Sequence, residues 1–212
     1  MATAAKALLQ PILLTRDAHW SQVLAPDVGL LIDGRTPCVS DETVELALQQ
    51  LQGPVSVSGS PGEIGAGLGG LPAELTADIV QLAERFAALM AVPNVRLRLE
   101  RIETDACRKW HLDYTDLRLV VTYRGPGTQF RLSEAGAIEQ VAEQQVALFK
   151  GRDFGAQHAM ISHRSPPIAG TGIVRLVLVI DTPLRPRDAA FHEQRDPETK
   201  ALMPDGAEQY PA

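Results

Sequence analysis

The sequence has few of the features that mark secreted or membrane proteins. Only two of its 212 residues are cysteines, Cys38 and Cys107, so no disulfide framework is expected. No apolar run approaches the roughly 20 residues that span a bilayer. The N-terminal stretch is interrupted by Pro11 and lacks the pattern of a signal peptide. We therefore expect a cytoplasmic protein without a membrane segment.

Basic residues are also in short supply. Lys and Arg number 20 against 26 Asp and Glu, which gives a formal net charge of −6. Sequence-independent binding of nucleic acid requires a basic surface, so we expect no nucleic-acid partner. The chain is 45% hydrophobic and 22% charged, a composition typical of globular proteins with a sizeable core.

Helical patterns dominate the first half of the chain, and strand patterns dominate the second half. Helices are predicted over residues 40–52, 72–91 and 133–144, and strands over residues 55–57, 94–103, 117–123, 145–151 and 172–181. This order predicts a single α+β domain. Its second half, over residues 94–181, is expected to be a sheet sandwich or barrel. Residues 1–93 are expected to form supporting helices and loops, and residues 182–212 a polar tail.

A glycine motif of the form GxGxxG occurs at Gly65, Gly67 and Gly70. A dinucleotide-binding fold needs this motif directly after a strand, with an acidic residue about 20 positions later. Several loop residues intervene here, and Met90 and Ala91 occupy the place of the acid. We predict a flexible loop that leads into the next helix.

The most informative segment is "RKWHLDYTDLRLVVTYRGPG", which contains His111 and Asp113. Two residues that lie two apart on an extended chain point to the same side, so both side chains are available to one metal ion. A further histidine, His163, lies in "ISHRSPP". Arg175 follows within "GIVRLVLVID", where a buried charge is costly unless an anion neutralises it.

This order of HxD, distant His and following Arg resembles the 2-oxoglutarate- and iron(II)-dependent dioxygenases. The resemblance implies a double-stranded β-helix (a jelly-roll, cupin-like) as the core over residues 94–181. It implies that His111, Asp113 and His163 bind Fe(II), and that 2-oxoglutarate chelates the metal as co-substrate. It also implies that Arg175 holds the far carboxylate of 2-oxoglutarate as a bidentate fork. Tyr123 is a second candidate for co-substrate binding, and a packing role is its alternative.

The segments "DACRKWHLDYTDLRLVVTYRGPGT" and "HRSPPIAGTG" more closely resemble an uncharacterised bacterial family, domain of unknown function 1826. That family carries no established reaction. Its members are often encoded beside CobW-type metallochaperone GTPases, which implies a functional link to metal homeostasis.

Several other residues are candidates for the site. Cys107 would complete a zinc site, although on a strand it lies about 13 Å from His111. His158 is an alternative to His163 as the distal ligand. Arg124 and Arg164 are candidates for binding the substrate or lining the mouth of the site, and solvated side chains are the alternative.

The sequence thus supports more than one function. The first is an oxygenase that hydroxylates an unknown small molecule or peptide. The second is a cupin-like protein that binds zinc or iron without catalysis, and the third is a structural β-sandwich with an accidental HxD. A buried Arg175 favours the first, because a storage site has no need of an arginine near the metal.

Overall fold

The computed structural model describes residues 11–16, 19–155 and 159–183. Within them the helices are α1 (Asp41–Gln50), α2 (Pro61–Gly67) and α3 (Ala73–Met90), and a 3-10 turn covers Trp20–Leu24. The strands are β1 (Ile12–Thr15), β2 (Leu30–Asp33), β3 (Val55–Gly59), β4 (Val95–Ile102), β5 (Leu117–Arg124), β6 (Gln129–Arg131), β7 (Glu139–Gln140), β8 (Val146–Lys150), β9 (Ser162–Arg164) and β10 (Arg175–Asp181).

Helix α3 forms where the apolar stripe predicts it. Pro72 occupies the N-cap position, and the helix ends at Ala91, which has a left-handed conformation with φ 52°. The stripe residues are fully buried against the large sheet: Leu75, Ile79, Leu82 and Phe86. Burial of this stripe is the main stabilisation of a helix that is otherwise marginal in water.

Helix α2 occupies part of the segment that we expected to be a flexible loop. The Ser60 side chain accepts from the Glu63 backbone N–H, while the Glu63 carboxylate accepts from the Ser60 N–H. This capping box satisfies two N–H groups that the first helical turn leaves open. Gly65 and Gly67 therefore lie in a short helix, and the preceding strand β3 belongs to an antiparallel pair. A dinucleotide-binding turn is not formed.

The large sheet has seven strands in the order β1-β2-β8-β5-β10-β4-β3. The β1–β2 pair is parallel, and the other neighbouring pairs are antiparallel. Strands β1 and β2 come from the part of the chain for which we predicted no strand, whereas β3 contains the strand predicted over residues 55–57. The architecture is therefore mixed α+β, with one large and mostly antiparallel sheet that extends beyond residues 94–181.

A small sheet has the order β7-β6-β9. Its β9 edge is extended by an antiparallel bridge in which His111 and His163 exchange backbone hydrogen bonds of 3.1 Å. The helix predicted over residues 133–144 is wrong, because this segment instead contains turns and strand β7. Gly136 and the pairing of β7 with β6 override the helical composition.

The large sheet separates two hydrophobic cores. Alternate residues of β5 point to opposite sides, so Leu119 and Val121 contact the helix side. Val120 faces the small sheet, where it packs with Phe130 and Val177. The same alternation places Arg175, Val177 and Val179 on the face toward the small sheet. The predicted tail falls mostly outside the described residues.

Candidate metal centre

Three side chains from distant parts of the sequence meet beside the small sheet. One nitrogen or oxygen atom from each of His111, Asp113 and His163 lies within 4.8 Å of the others. The backbone bridge holds the two histidines together, with ring centroids 4.6 Å apart. Asp113 lies in the turn before β5 and is 1% exposed. The structure thus brings together the three ligands that the sequence singled out.

Both imidazoles present Nε2 to the centre of this group. The other ring nitrogen of His111, Nδ1, donates to the Lys109 carbonyl at 2.8 Å, and Nδ1 of His163 lies 3.5 Å from the Ile161 carbonyl. Such bonds leave Nε2 with a lone pair, as a metal ligand requires. Burial, followed by the neighbouring His163, lowers the pKa of His111 and favours its neutral form.

The carboxylate of Asp113 has one engaged oxygen and one without a hydrogen bond. Oδ1 accepts from Arg118, whereas Oδ2 is buried and lies 2.9 Å from His163 Nε2. Burial raises the pKa of Asp113, but the Arg118 charge and the two histidines outweigh it and hold that pKa well below its usual range. Asp113 is therefore an ionised oxygen donor.

These atoms fit a divalent cation. Asp113 Oδ2 lies 2.9 Å from His163 Nε2 and has no hydrogen-bond partner among the described residues. Two ligands bound at right angles, each about 2.1 Å from a metal, lie about 3.0 Å apart, close to this separation. Two imidazoles and one carboxylate form the donor set of a facial triad.

Arg175 is buried on the inner face of β10, at 1% exposure. Its guanidinium donates to the Pro126 carbonyl at 2.7 Å, to Ser165 Oγ at 2.9 Å and to Thr122 Oγ1 at 3.4 Å. No carboxylate of the described residues lies within ion-pair distance of it. Burial lowers the pKa of Arg175 to about 10, so the group is still charged at neutral pH. Ser165 follows His163 by two residues and so links Arg175 to the metal-binding strand.

Tyr123 and Arg124 lie away from this group. Tyr123 packs in the helix-side core, and its hydroxyl donates to Asp78 Oδ2 at 2.5 Å. A bulge between β5 and β10 lies next to these residues, and Arg124 pairs with Asp41 and Glu45 of α1. The assignment of Tyr123 to co-substrate binding is corrected accordingly, because its strand position directs it to the opposite side of the sheet.

The remaining candidates occupy different positions. Arg164 points to the face of β9 opposite His163, where its guanidinium lies over the Trp110 ring and donates to Gln129. Cys107 is exposed and is not among the residues whose side-chain atoms converge. Its carbonyl accepts from the Ser165 N–H at 2.9 Å. His158 lies outside the described residues.

Sequence reasoning did not find the role of Arg118 and Asp181. Arg118 donates twice to Asp181, with both distances 2.8 Å, and a third time to Asp113. The alternation of β5 places Arg118 and Thr122 on the inner face and is visible in the sequence. The pairing of Arg118 with Asp181, which lies 63 residues away, is not visible in the sequence.

Comparison with known proteins identifies a family. The model of a family described as "Protein of unknown function (DUF1826)" matches residues 69–181, which is more than half of the chain. The chain belongs to the DUF1826 family. No curated protein matches the sequence significantly.

Solved structures similar to this DUF1826 protein include a putative oxygenase and a prolyl-4-hydroxylase. JOX2, in complex with 2OG, Fe and JA, has a TM-score of 0.50 at 11% identity, covering 82% of this chain and 75% of that chain. A putative oxygenase from Shewanella oneidensis has a TM-score of 0.49 at 16% identity, with coverages of 90% and 98%. A prolyl-4-hydroxylase from Pseudomonas putida has a TM-score of 0.37 at 14% identity, with coverages of 63% and 71%.

At this level of identity the likeness to JOX2 concerns the fold alone. It agrees with a large antiparallel sheet in a mixed α+β protein. Among the described residues, no helix combines the length and apolar composition needed to cross a membrane.

Proposed function

We propose that this DUF1826 protein is an Fe(II)- and 2-oxoglutarate-dependent oxygenase that hydroxylates a substrate. His111, Asp113 and His163 hold the metal, and Arg175 binds the far carboxylate of 2-oxoglutarate. The observation that carries the proposal is Arg175: a buried cation on the same face as the triad, with neutral oxygens around it. A diffusible carboxylate provides the anion that such a group needs.

The connections between strands support a double-stranded β-helix. Four neighbouring strands of the large sheet have the order β4-β10-β5-β8, and His111 extends the small sheet to the order His111-β9-β6-β7. The chain passes from β4 to His111, then to β5, to β6 and β7, to β8, to β9 and to β10. It therefore alternates between two opposed sheets, as a jelly-roll does.

The residues of the chain have separate tasks in this proposal. The Nε2 atoms of His111 and His163 and Asp113 Oδ2 would hold the metal, which would also bind the co-substrate. Ser165 and Thr122 orient the Arg175 guanidinium toward the co-substrate. Phe149, whose ring lies 4.3 Å from that of His163, helps to exclude water. When bound, Fe(II) and 2-oxoglutarate supply the oxidising chemistry, in which O₂ converts 2-oxoglutarate to succinate and CO₂ and one oxygen atom enters the substrate.

A cytoplasmic location is part of the proposal. Cys38 and Cys107 are both free thiols, which is the usual state of cysteine in a reducing compartment.

Anaerobic titration with Fe(II) followed by 2-oxoglutarate tests the proposal. We expect a weak visible absorption band to appear only when both are present, and we expect succinate to form once O₂ is admitted. His163→Ala should abolish the band, whereas His19→Ala, at an exposed position outside the site, should leave it unchanged. Metal binding without any response to 2-oxoglutarate would contradict the oxygenase and favour the non-catalytic metal-binding protein. Absence of metal binding would exclude both.

A further inference from the structure

Three buried charged side chains, linked by hydrogen bonds, connect the triad to the large sheet. Asp113 is 1% exposed, Arg118 8% and Asp181 6%. Arg118 and Asp181 lie directly opposite each other on β5 and β10, and Arg96 on β4 lies 3.5 Å from Asp181. Arg118, Asp181 and Arg96 therefore lie side by side on three neighbouring strands, whereas Asp113 lies in the loop before β5.

The hydrogen bonds among Asp113, Arg118 and Asp181 fix the orientation of each side chain. Nε and Nη2 of Arg118 donate to the two oxygens of Asp181, both at 2.8 Å. A bidentate pair of this kind fixes the plane of the guanidinium. The remaining nitrogen, Nη1, then donates to Asp113 Oδ1.

The Asp113 carboxylate is therefore held in one orientation, and its two oxygens have different contacts. Oδ1 is engaged by Arg118, and Oδ2 is turned toward His163 Nε2 without a hydrogen bond. A carboxylate that rotates freely can bind a metal through one or both oxygens. Here only Oδ2 is available, which preserves an additional open position on the metal.

The energetics explain why a second carboxylate is needed. A buried arginine with a single carboxylate partner would move whenever that carboxylate moves, because the buried charge must stay neutralised. Asp181 provides a second, stronger attachment on an adjacent strand, so Arg118 keeps its position whatever Asp113 binds. The cost of burying these charges is offset by hydrogen bonds at both ends.

We propose that Arg118, held by Asp181, is a positioning residue that presents Asp113 to the metal through one oxygen. The proposal rests on the metal site of the proposed function. It adds to the site two residues that bind neither metal nor co-substrate.

Titration of the full-length chain with Co(II) tests this role. Asp181→Asn keeps the size of the side chain but weakens its hold on Arg118, and Arg118→Lys keeps the charge but loses the fork. Outer residues that orient ligands typically contribute 10- to 100-fold to metal affinity, so we expect a loss of about that size in both variants. At saturating Co(II) their visible absorption spectra should also differ from wild type, because Asp113 is free to rotate.

Asp33→Asn is the matched control. Asp33 is likewise buried, accepts from Trp20 and lies 3.6 Å from Arg85, but belongs to strand β2. This variant should lose stability while its Co(II) affinity stays within about two-fold of wild type. Circular dichroism and melting of the metal-free proteins identify variants that have not folded.

The outcomes separate this inference from the proposed function. If wild type binds no Co(II), the metal site itself fails, and the positioning role fails with it. If wild type binds Co(II) and the folded Asp181→Asn and Arg118→Lys proteins match it in affinity and spectrum, only the positioning role is overturned. An equal loss of Co(II) affinity in Asp33→Asn would also overturn the positioning role, since the effect would then reflect stability alone.

Discussion

At the scale of single residues, Arg175 has an unusual environment. Its guanidinium is buried, and the atoms to which it donates are a carbonyl and two hydroxyls. Hydrogen bonds to neutral oxygens reduce the cost of burial without removing the charge. Such a residue is maintained at a cost to stability, which is a common property of groups that bind a charged ligand.

Replacing Arg175 should therefore affect the co-substrate and not the metal. In Arg175→Leu we expect 2-oxoglutarate binding to weaken by roughly 2–4 kcal/mol, the loss typical of a desolvated bidentate pair. Metal affinity should change by no more than a few-fold, because Arg175 is not a ligand. Calorimetric titration of each component measures the two effects separately.

Arg101→Leu is the control, because Arg101 lies on the neighbouring strand β4 but is exposed and pairs with Glu103. It should leave both affinities unchanged. Unchanged 2-oxoglutarate binding in a folded Arg175→Leu protein would contradict the assignment.

At the scale of elements, a buried polar network joins α3 to the large sheet. Asp78 of α3 accepts from Arg35 through both oxygens, from the Tyr123 hydroxyl of β5 and from the Cys38 thiol. Gln144 accepts from the backbone N–H groups of Cys38 and Val39. The network thus fixes the segment before α1 on the helix side of the sheet, and Tyr123 belongs to it.

This network predicts a pH-dependent contribution to stability. Burial raises the pKa of Asp78, but the Arg35 charge and the hydrogen bonds outweigh it and lower that pKa below its ordinary value of 3.8. The folded state therefore binds a proton less readily than the unfolded state, and the stabilisation is present above pH 3.8 and is lost as the pH falls below it.

Asp78→Asn should destabilise the protein by about 3 kcal/mol at pH 7, since it leaves a buried arginine without its partner. The difference from wild type should shrink as the pH is lowered through the range in which Asp78 is protonated. Urea unfolding at several pH values measures it. Glu84→Gln, at an exposed position of the same helix, should show little effect, and a pH-independent difference for Asp78→Asn would argue against this origin.

At the scale of the whole molecule, the triad joins two segments that are distant in sequence and also exchange backbone hydrogen bonds. His111 lies between β4 and β5, whereas His163 lies on β9, and a metal ion would tie the two together. A ligand that binds only the folded state stabilises it by mass action.

We expect Co(II) at a concentration 100-fold above its dissociation constant to raise the free energy of unfolding by about 2.7 kcal/mol. His111→Ala should remove most of this gain, because it deletes one of the three side chains that converge on the site. Thermal melting with and without metal measures the effect. An equal gain in His111→Ala would place the metal elsewhere.

The sequence by itself determined the features that depend on local periodicity. The stripe of α3 and the apolar runs of β5, β8 and β10 repeat at the spacing of the structure they form. The residues of the triad were also recognisable, as was the burial of Arg175. The Ser60–Glu63 capping box is also visible in the sequence, but the three nearby glycines led to the prediction of a loop.

Only the tertiary structure decided which segments pair and which side each one faces. Strands β1 and β2 are four residues each, too short for their pattern to stand out, and they form because β8 offers an edge. The attachment of Arg118 to Asp181 and of Tyr123 to Asp78 joins residues far apart in sequence. Such contacts depend on strand order and on a bulge, which no local pattern encodes, because their free energy appears only once the sheet is assembled.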